Sequence, residues 1–303
     1  MSKMANYSLD NAQNEGQLRT TFSPSGCIAW LTVLCTIGIA TVTVNGLAVI
    51  VYLKEPSLRK RSMYLVISLA IADMCVGGIS LSIDVFNSGH KYNLWENYLS
   101  PAWNSILIAI LLPFPIASVT NLAVISLERM HATFRPFKHR VIKKWIFGAS
   151  VAFVWFTAVL NSSASMYLYA QGYRFNKFYF AYLSILPCCF SIILVSYASI
   201  VAKMYCGTRP HHHHGAGSQE RKLTTTLFIV TVVSLVLLLP YTLFMFSKTA
   251  LSSQKNNLHF FLRSLAYANS VVNPLLYAYR IPEFKRAMSS FLGCRPRAQL
   301  FPQ

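Results

Sequence analysis

Seven stretches of about 20 or more residues run nearly free of charge along this chain, and that pattern restricts its fold more than any single motif does. Residues 27–53, 97–127, 145–166, 178–202 and 223–247 contain no Asp, Glu, Lys or Arg at all. Residues 62–86 carry only Asp73 and Asp84, and residues 257–279 carry only Arg263. Five of the seven lack any charge, which a soluble helical protein with a solvated face on each helix would not show. The chain is 54% hydrophobic and 12% charged, against about 25% charged for a soluble domain. A transmembrane β-barrel requires strict alternation, which is absent. The expected fold is therefore an all-α integral membrane protein, a seven-transmembrane helix bundle.

The net charge of +18 does not indicate nucleic-acid binding. The basic residues sit in short runs between the apolar stretches, and most of the 27 fall on the odd-numbered connections and the C-terminal tail. That bias makes this side cytoplasmic and the N-terminus extracellular. Residues 1–25 form a polar tail without a signal-peptide pattern, and Asn6-Tyr7-Ser8 is a glycosylation sequon on it. Asn161-Ser162-Ser163 lies inside an apolar run and is read as a chance match. Residues 26–280 make up the bundle. Residues 281–303 begin with a short amphipathic helix whose Phe284, Ala287, Met288 and Phe291 share one face and lie against membrane lipid. Cys294 beyond it suits palmitoylation or stays a free thiol. The seven cysteines show neither a disulfide framework nor zinc spacing. His211–His214, followed by Gly215-Ala216-Gly217-Ser218, read as a low-complexity or engineered loop rather than a metal site.

Charges inside the spans are costly and therefore informative. Asp73 has no Lys or Arg at similar depth, so a proton or a cation must neutralise it. Asp84 lies eleven residues on, about 16 Å further along nearly the same helix face. Arg263 lies about 10 Å outward of Ser270 on the last span. Both point into the outer half of the bundle, either as a mutual salt bridge or as ligand-binding groups.

The motifs, taken in order and one per span, carry a resemblance. They are Asn45-Gly46, Leu69-Ala70-Ile71-Ala72-Asp73, Glu128-Arg129-Met130 with Pro136-Phe137, Trp155, Pro240-Tyr241 and Asn273-Pro274-Leu275-Leu276-Tyr277, with Phe284 after the last span. Over about residues 26–294 the chain resembles the rhodopsin-like (class A) G-protein-coupled receptors. The resemblance implies a receptor of the plasma membrane, not an enzyme, whose partners are an extracellular small-molecule or lipid-like ligand and a heterotrimeric G protein. It implies a sodium ion on Asp73 with Ser118, Asn269, Ser270 and Asn273, all oxygen donors suited to a hard cation. It assigns a switch to Glu128 and Arg129, with Tyr197 and Tyr277. Glu220 either restrains Arg129 or is an ordinary acid near a helix N-terminus. Phe137 would fill an apolar slot on the G protein.

The chain also departs from the family pattern. Leu238 stands where most members have Trp, Asn104 where a Cys ties the third helix to the second extracellular loop, and Pro113 and Pro115 interrupt the third span. Pro187 and Tyr197 of the fifth span are ten residues apart where eight is usual. A short loop without Cys resembles the melanocortin, cannabinoid, lysophospholipid and adenosine branch. Leu111 replaces the Asp of amine receptors, which disfavours amines, and Met245 and Tyr267 replace residues of the adenosine pocket. Leu111, Pro115, Tyr241, Met245 and Tyr267 are expected to line an apolar cavity, with Asp84 and Arg263 at its charged end. An amphipathic ligand with an anionic group on Arg263 fits that set. A retinal protein needs a Lys in the last span, which Lys255 and Lys285 only bracket. A transporter would show inverted repeats, and an intramembrane metallohydrolase would pair His with its acids. The missing Trp and Cys leave one alternative open, a non-signalling heptahelical protein that sequesters a ligand or binds a partner.

Overall fold

The computed structural model describes residues 24–54, 63–92, 94–95, 100–171, 180–206, 216–246, 256–280 and 282–291. These residues are almost wholly helical. Helix α1 (Pro24–Lys54) is the first span, and α2 (Met63–Cys75), a π-helical turn (Val76–Ser80) and α3 (Leu81–Lys91) form the second. The third joins α4 (Pro101–Leu111) to α5 (Pro113–Phe134). A short helix α6 (Pro136–Val141) leads to α7 (Lys144–Ala170), the fourth span. Helices α8 (Ile185–Cys206), α9 (Ala216–Phe246) and α10 (Asn256–Arg280) complete the bundle, and α11 (Pro282–Phe291) follows it. The third span is central, because α5 packs against α2, α7, α8 and α9.

Among the described residues, six helices are long and apolar enough to cross a bilayer. The seventh expected span, residues 257–279, is helix α10, which is less apolar than these six. Its 25 residues reach about 37 Å, enough to cross, but its polar side chains lower its hydropathy. Arg263, Ser264, Asn269, Ser270 and Asn273 are buried while Leu258, Phe261 and Leu275 are exposed. The helix turns its polar face to the bundle and its apolar face outward, which suits a lipid solvent and defeats a simple hydropathy count.

Prolines break backbone bonds inside these spans, and side chains from other helices make them good. Pro115 has no N–H to offer the Leu111 carbonyl, which instead accepts from Ser80 Oγ at 3.3 Å. The Leu112 carbonyl, at the junction of α4 and α5, accepts from Tyr182 Oη at 3.1 Å. Pro274 likewise frees the Ser270 carbonyl, and Asn45 Nδ2 donates to it at 2.8 Å, joining the first span to the seventh. The third-span prolines therefore mark a junction held by the second and fifth spans.

The first two spans approach closely at glycines. A Cβ on Gly77 would stand 2.6 Å from Thr41 Cβ and 3.1 Å from the Gly38 carbonyl oxygen. Small residues at such a crossing let two backbones meet in a membrane. At the other end of the first span, Phe284 of α11 is fully buried, with its ring centroid 5.0 Å from that of Tyr52. The amphipathic helix is thus docked on the bundle through its apolar face. Trp155 Nε1 donates to Ser68 Oγ at 3.2 Å, joining the fourth span to the second.

Candidate functional site

Three clusters of polar groups lie inside the helices. The first surrounds Asp73, which is fully buried on α2. Its Oδ1 accepts from Ser118 Oγ at 2.6 Å and from Ser270 Oγ at 2.8 Å, and its Oδ2 accepts from Asn273 Nδ2 at 2.8 Å. Spans two, three and seven thus meet on one carboxylate. Each hydroxyl spends its single proton on Asp73 and keeps lone pairs for another partner. Among the described residues, the buried Oδ1 atoms of Asn269 and Asn273 have no partner. A cluster with an acid, two hydroxyls and two unsatisfied amide oxygens fits a hard cation such as sodium, because every available donor is oxygen. Among the described residues, no group of three or more His, Cys, Asp or Glu forms a transition-metal site.

The second cluster closes the other end of α5. Arg129 is 3% exposed. Its guanidinium pairs with Glu128 through two hydrogen bonds, from Nε and from Nη2. His139, on α6, places Nε2 2.7 Å from Glu128 Oε1. The His139 ring also lies 5.9 Å from His131 and 6.3 Å, edge-on, from Phe147. Lys203 Nζ donates to the Thr133 carbonyl at 2.6 Å, tying the fifth span to the third nearby. Tyr197 is buried and accepts from Thr231 Oγ1 at 3.2 Å, joining spans five and six. Phe137 is 81% exposed on α6 and free to meet a partner. The backbones of Glu220 and Tyr277 belong to α9 and α10, but their side chains lie outside the described residues. Asn6, Cys294 and His211–His214 lie outside them entirely.

The third cluster is at the opposite end of the bundle. Arg263 pairs with Asp84, which also accepts from Tyr267 Oη at 2.8 Å. Arg263 Nη1 lies 3.3 Å from Ser88 Oγ. The alternatives of a salt bridge and a ligand anchor therefore begin from a salt bridge in this structure. Tyr241 packs its ring 6.0 Å from His259, and Met245 packs against the main core. Leu111 and Pro115 are half-buried at the helix junction. Leu238 is half-buried against the same core, filling with an aliphatic group the place of the usual indole.

Ser88 and His139 were not singled out from the sequence. Ser88 lies four residues after Asp84, a spacing that places both on one helix face and was available as a signal. His139 is eleven residues from Glu128 across the turn at Pro136, and no periodicity spans that turn.

Comparison with known proteins settles what such a bundle is. The family model described as "7 transmembrane receptor (rhodopsin family)" matches residues 44–277, well over half of the chain. The chain belongs to the rhodopsin family of seven-transmembrane receptors. Similar curated proteins include Dopamine receptor 2 of Drosophila melanogaster, 28% identical over 160 residues that cover 48% of this chain and 29% of that protein. The 5-hydroxytryptamine receptor 2C of Homo sapiens is 32% identical over 120 residues, covering 38% of this chain and 25% of its own length. Octopamine receptor beta-2R of Drosophila melanogaster is 28% identical over 139 residues, covering 45% and 25%. The matched part of this chain thus spans between a quarter and a third of these relatives' lengths. Membership of this receptor family and the apolar helices make the chain a multi-pass membrane protein.

Proposed function

We propose that this chain is a ligand-activated receptor that passes an extracellular small-molecule signal to a heterotrimeric G protein, with its N-terminus outside the cell. The observation that carries this reading is Arg129, a guanidinium held inside the bundle by Glu128, which His139 also engages. A buried cation paired with its chain neighbour can be released without unfolding its helix, and release presents it to a partner at the membrane face. Phe137, exposed on the adjoining α6, would enter an apolar slot of that partner. Glu220 is the proposed second restraint on Arg129, and Tyr197 and Tyr277 are proposed to rearrange with it.

A sodium ion held by Asp73, Ser118, Asn269, Ser270 and Asn273 would supply positive charge to the buried carboxylate. The residues themselves clamp spans two, three and seven together. Glycosylation at Asn6 and palmitoylation at Cys294 belong to the same reading.

The outer ligand is proposed to be amphipathic, with an anionic group that takes Arg263 from Asp84 and an apolar body against Leu111, Pro115, Tyr241, Met245 and Tyr267. Arg makes the charge-assisted bonds that a carboxylate or phosphate needs. The similar receptors named for dopamine, 5-hydroxytryptamine and octopamine favour a second reading, in which an amine sits on Asp84. Asp84, with 28% of its side chain exposed against 10% for Arg263, is the more accessible of the pair, which also suits that reading. Measured with one validated ligand, Arg263→Ala should weaken an anion by about 2–5 kcal/mol, the range for truncating a buried charge pair, and Asp84→Ala should cost less. An amine reverses that order. Indifference of both variants would place the ligand elsewhere. Leu238 in place of Trp favours the sequestering alternative, in which ligand binds without any G-protein response.

A further inference from the structure

Helix α6 is set against the end of α5 by its backbone. The Arg135 N–H donates to the His131 carbonyl at 2.9 Å, and the His139 N–H donates to the Arg135 carbonyl at 2.9 Å. Pro136 starts the helix between them. This turn carries the His139 ring back onto Glu128, where Nε2 stands 2.7 Å from Oε1. The same oxygen accepts from Arg129. One carboxylate oxygen therefore serves two basic side chains, one permanently charged and one of a type that titrates in the neutral range.

Among the described residues, few titratable or charged groups face His139. Glu128 and His131 lie on α5, with Arg129 bound to the same carboxylate. Helix α7 presents the uncharged Phe147 ring. Lys138 on α6 itself and Lys143 beyond it are exposed, and the Arg140 side chain lies outside the described residues. The two imidazoles differ. His131 Nδ1 is buried with no hydrogen-bond partner among the described residues, so a charge on that ring would be poorly compensated. His139 meets a carboxylate, which only accepts, so its Nε2 carries a proton and its Nδ1 is the nitrogen left to bind another. Its side chain is 18% exposed, so water reaches the ring.

We propose that His139 is a cytosolic pH sensor that sets how readily Arg129 leaves Glu128. This inference deepens the receptor reading given above and rests on it. Releasing Arg129 strips a largely buried carboxylate of its cation, which is costly. A proton taken from water onto His139 Nδ1 turns the ring into an imidazolium on the same oxygen, so Glu128 stays paired when Arg129 departs. The imidazolium also repels the guanidinium. The state with Arg129 released therefore holds the His139 proton more tightly than the state with Arg129 held. By linkage, acidification favours release. An opposite charge gained or lost beside a titratable group changes its proton affinity about tenfold or more, so a response of about five- to tenfold is expected across the neutral range.

The test measures basal nucleotide exchange by the full chain in vesicles buffered alike on both sides at pH 6, 7 and 8, against a panel of purified heterotrimers. Receptor-free vesicles at each pH remove the heterotrimers' own pH dependence. Receptor-dependent exchange should rise about five- to tenfold from pH 8 to pH 6. His139→Gln keeps a neutral donor and should hold exchange near the pH 8 value throughout. His139→Lys supplies a permanent cation and should hold it near the pH 6 value, and either variant decides the matter if the other fails to fold. His131→Gln should leave the pH response in place. A flat profile in the unaltered protein overturns the proposal, as does a response that survives in both His139 variants or one that is lost in His131→Gln. Receptor-dependent exchange at no pH and with no heterotrimer would overturn the receptor reading and this inference together, which separates that failure from the others.

Discussion

Replacing Asp84 by Ala removes one partner of the outer ion pair and leaves Arg263, among the described residues, beside neutral hydrogen-bonding groups. Arg263 has 10% of its side chain exposed, and its remaining contact is Ser88 Oγ at 3.3 Å, with the Tyr267 phenol oxygen freed beside it. Removing one member of a buried pair costs about 3–5 kcal/mol, because the other charge stays desolvated. The converse change, Arg263→Ala, should cost less. Asp84 keeps the Tyr267 hydroxyl at 2.8 Å and is 28% exposed, so water compensates much of the loss, and about 1–2 kcal/mol remains. Replacing both removes both charges, and the double variant should be no less stable than Asp84→Ala alone. The assay is thermal unfolding of the purified receptor without ligand, with all four proteins in one detergent. An Arg263→Ala loss equal to or above that of Asp84→Ala would refute this account of burial, and so would a double variant whose loss equals the sum of the singles.

Asp73→Asn should abolish any dependence of thermal stability on sodium relative to a large organic cation; a dependence that survives would mean that no functional ion sits on this carboxylate. Gly77→Ala should destabilise the bundle by about 1–3 kcal/mol, the cost of overpacking, because the new Cβ meets Thr41 and the Gly38 backbone; an unchanged unfolding temperature would show that the helices part freely. Tyr182→Phe should cost about 0.5–1.5 kcal/mol by removing the donor to the Leu112 carbonyl, and no change in unfolding would mean that this bond contributes nothing to the junction.

The spans were legible because a bilayer selects on length and apolarity, two properties that a sequence displays directly. The seventh was legible as a segment with Arg263 as its one charge, but that Ser264, Asn269, Ser270 and Asn273 are buried together with Arg263 on one side of the helix appears only in the bundle. The companions of Asp73 were legible by family position, and Ser118, Ser270 and Asn273 do lie within hydrogen-bond distance of it. Contacts created by folding were not legible. Ser80 and Tyr182 reach the Leu111 and Leu112 carbonyls from other spans, and nothing near Pro113 or Pro115 names them. His139 reaches Glu128 only because α6 turns back against α5. The Asp84–Arg263 pair stood between the two, since helix geometry gave the depth of each residue but not their mutual distance.

Nucleotide exchange measured with the purified receptor in vesicles, against a panel of purified G-protein heterotrimers, tests signalling through Arg129 most directly. At least one heterotrimer should exchange nucleotide faster than in receptor-free vesicles, with Glu220→Ala raising the rate and Arg129→Ala returning it to the receptor-free value. A folded, surface-expressed receptor that binds its ligand yet accelerates exchange in none of them, or whose Arg129→Ala variant exchanges as fast as the unaltered protein, would contradict the account.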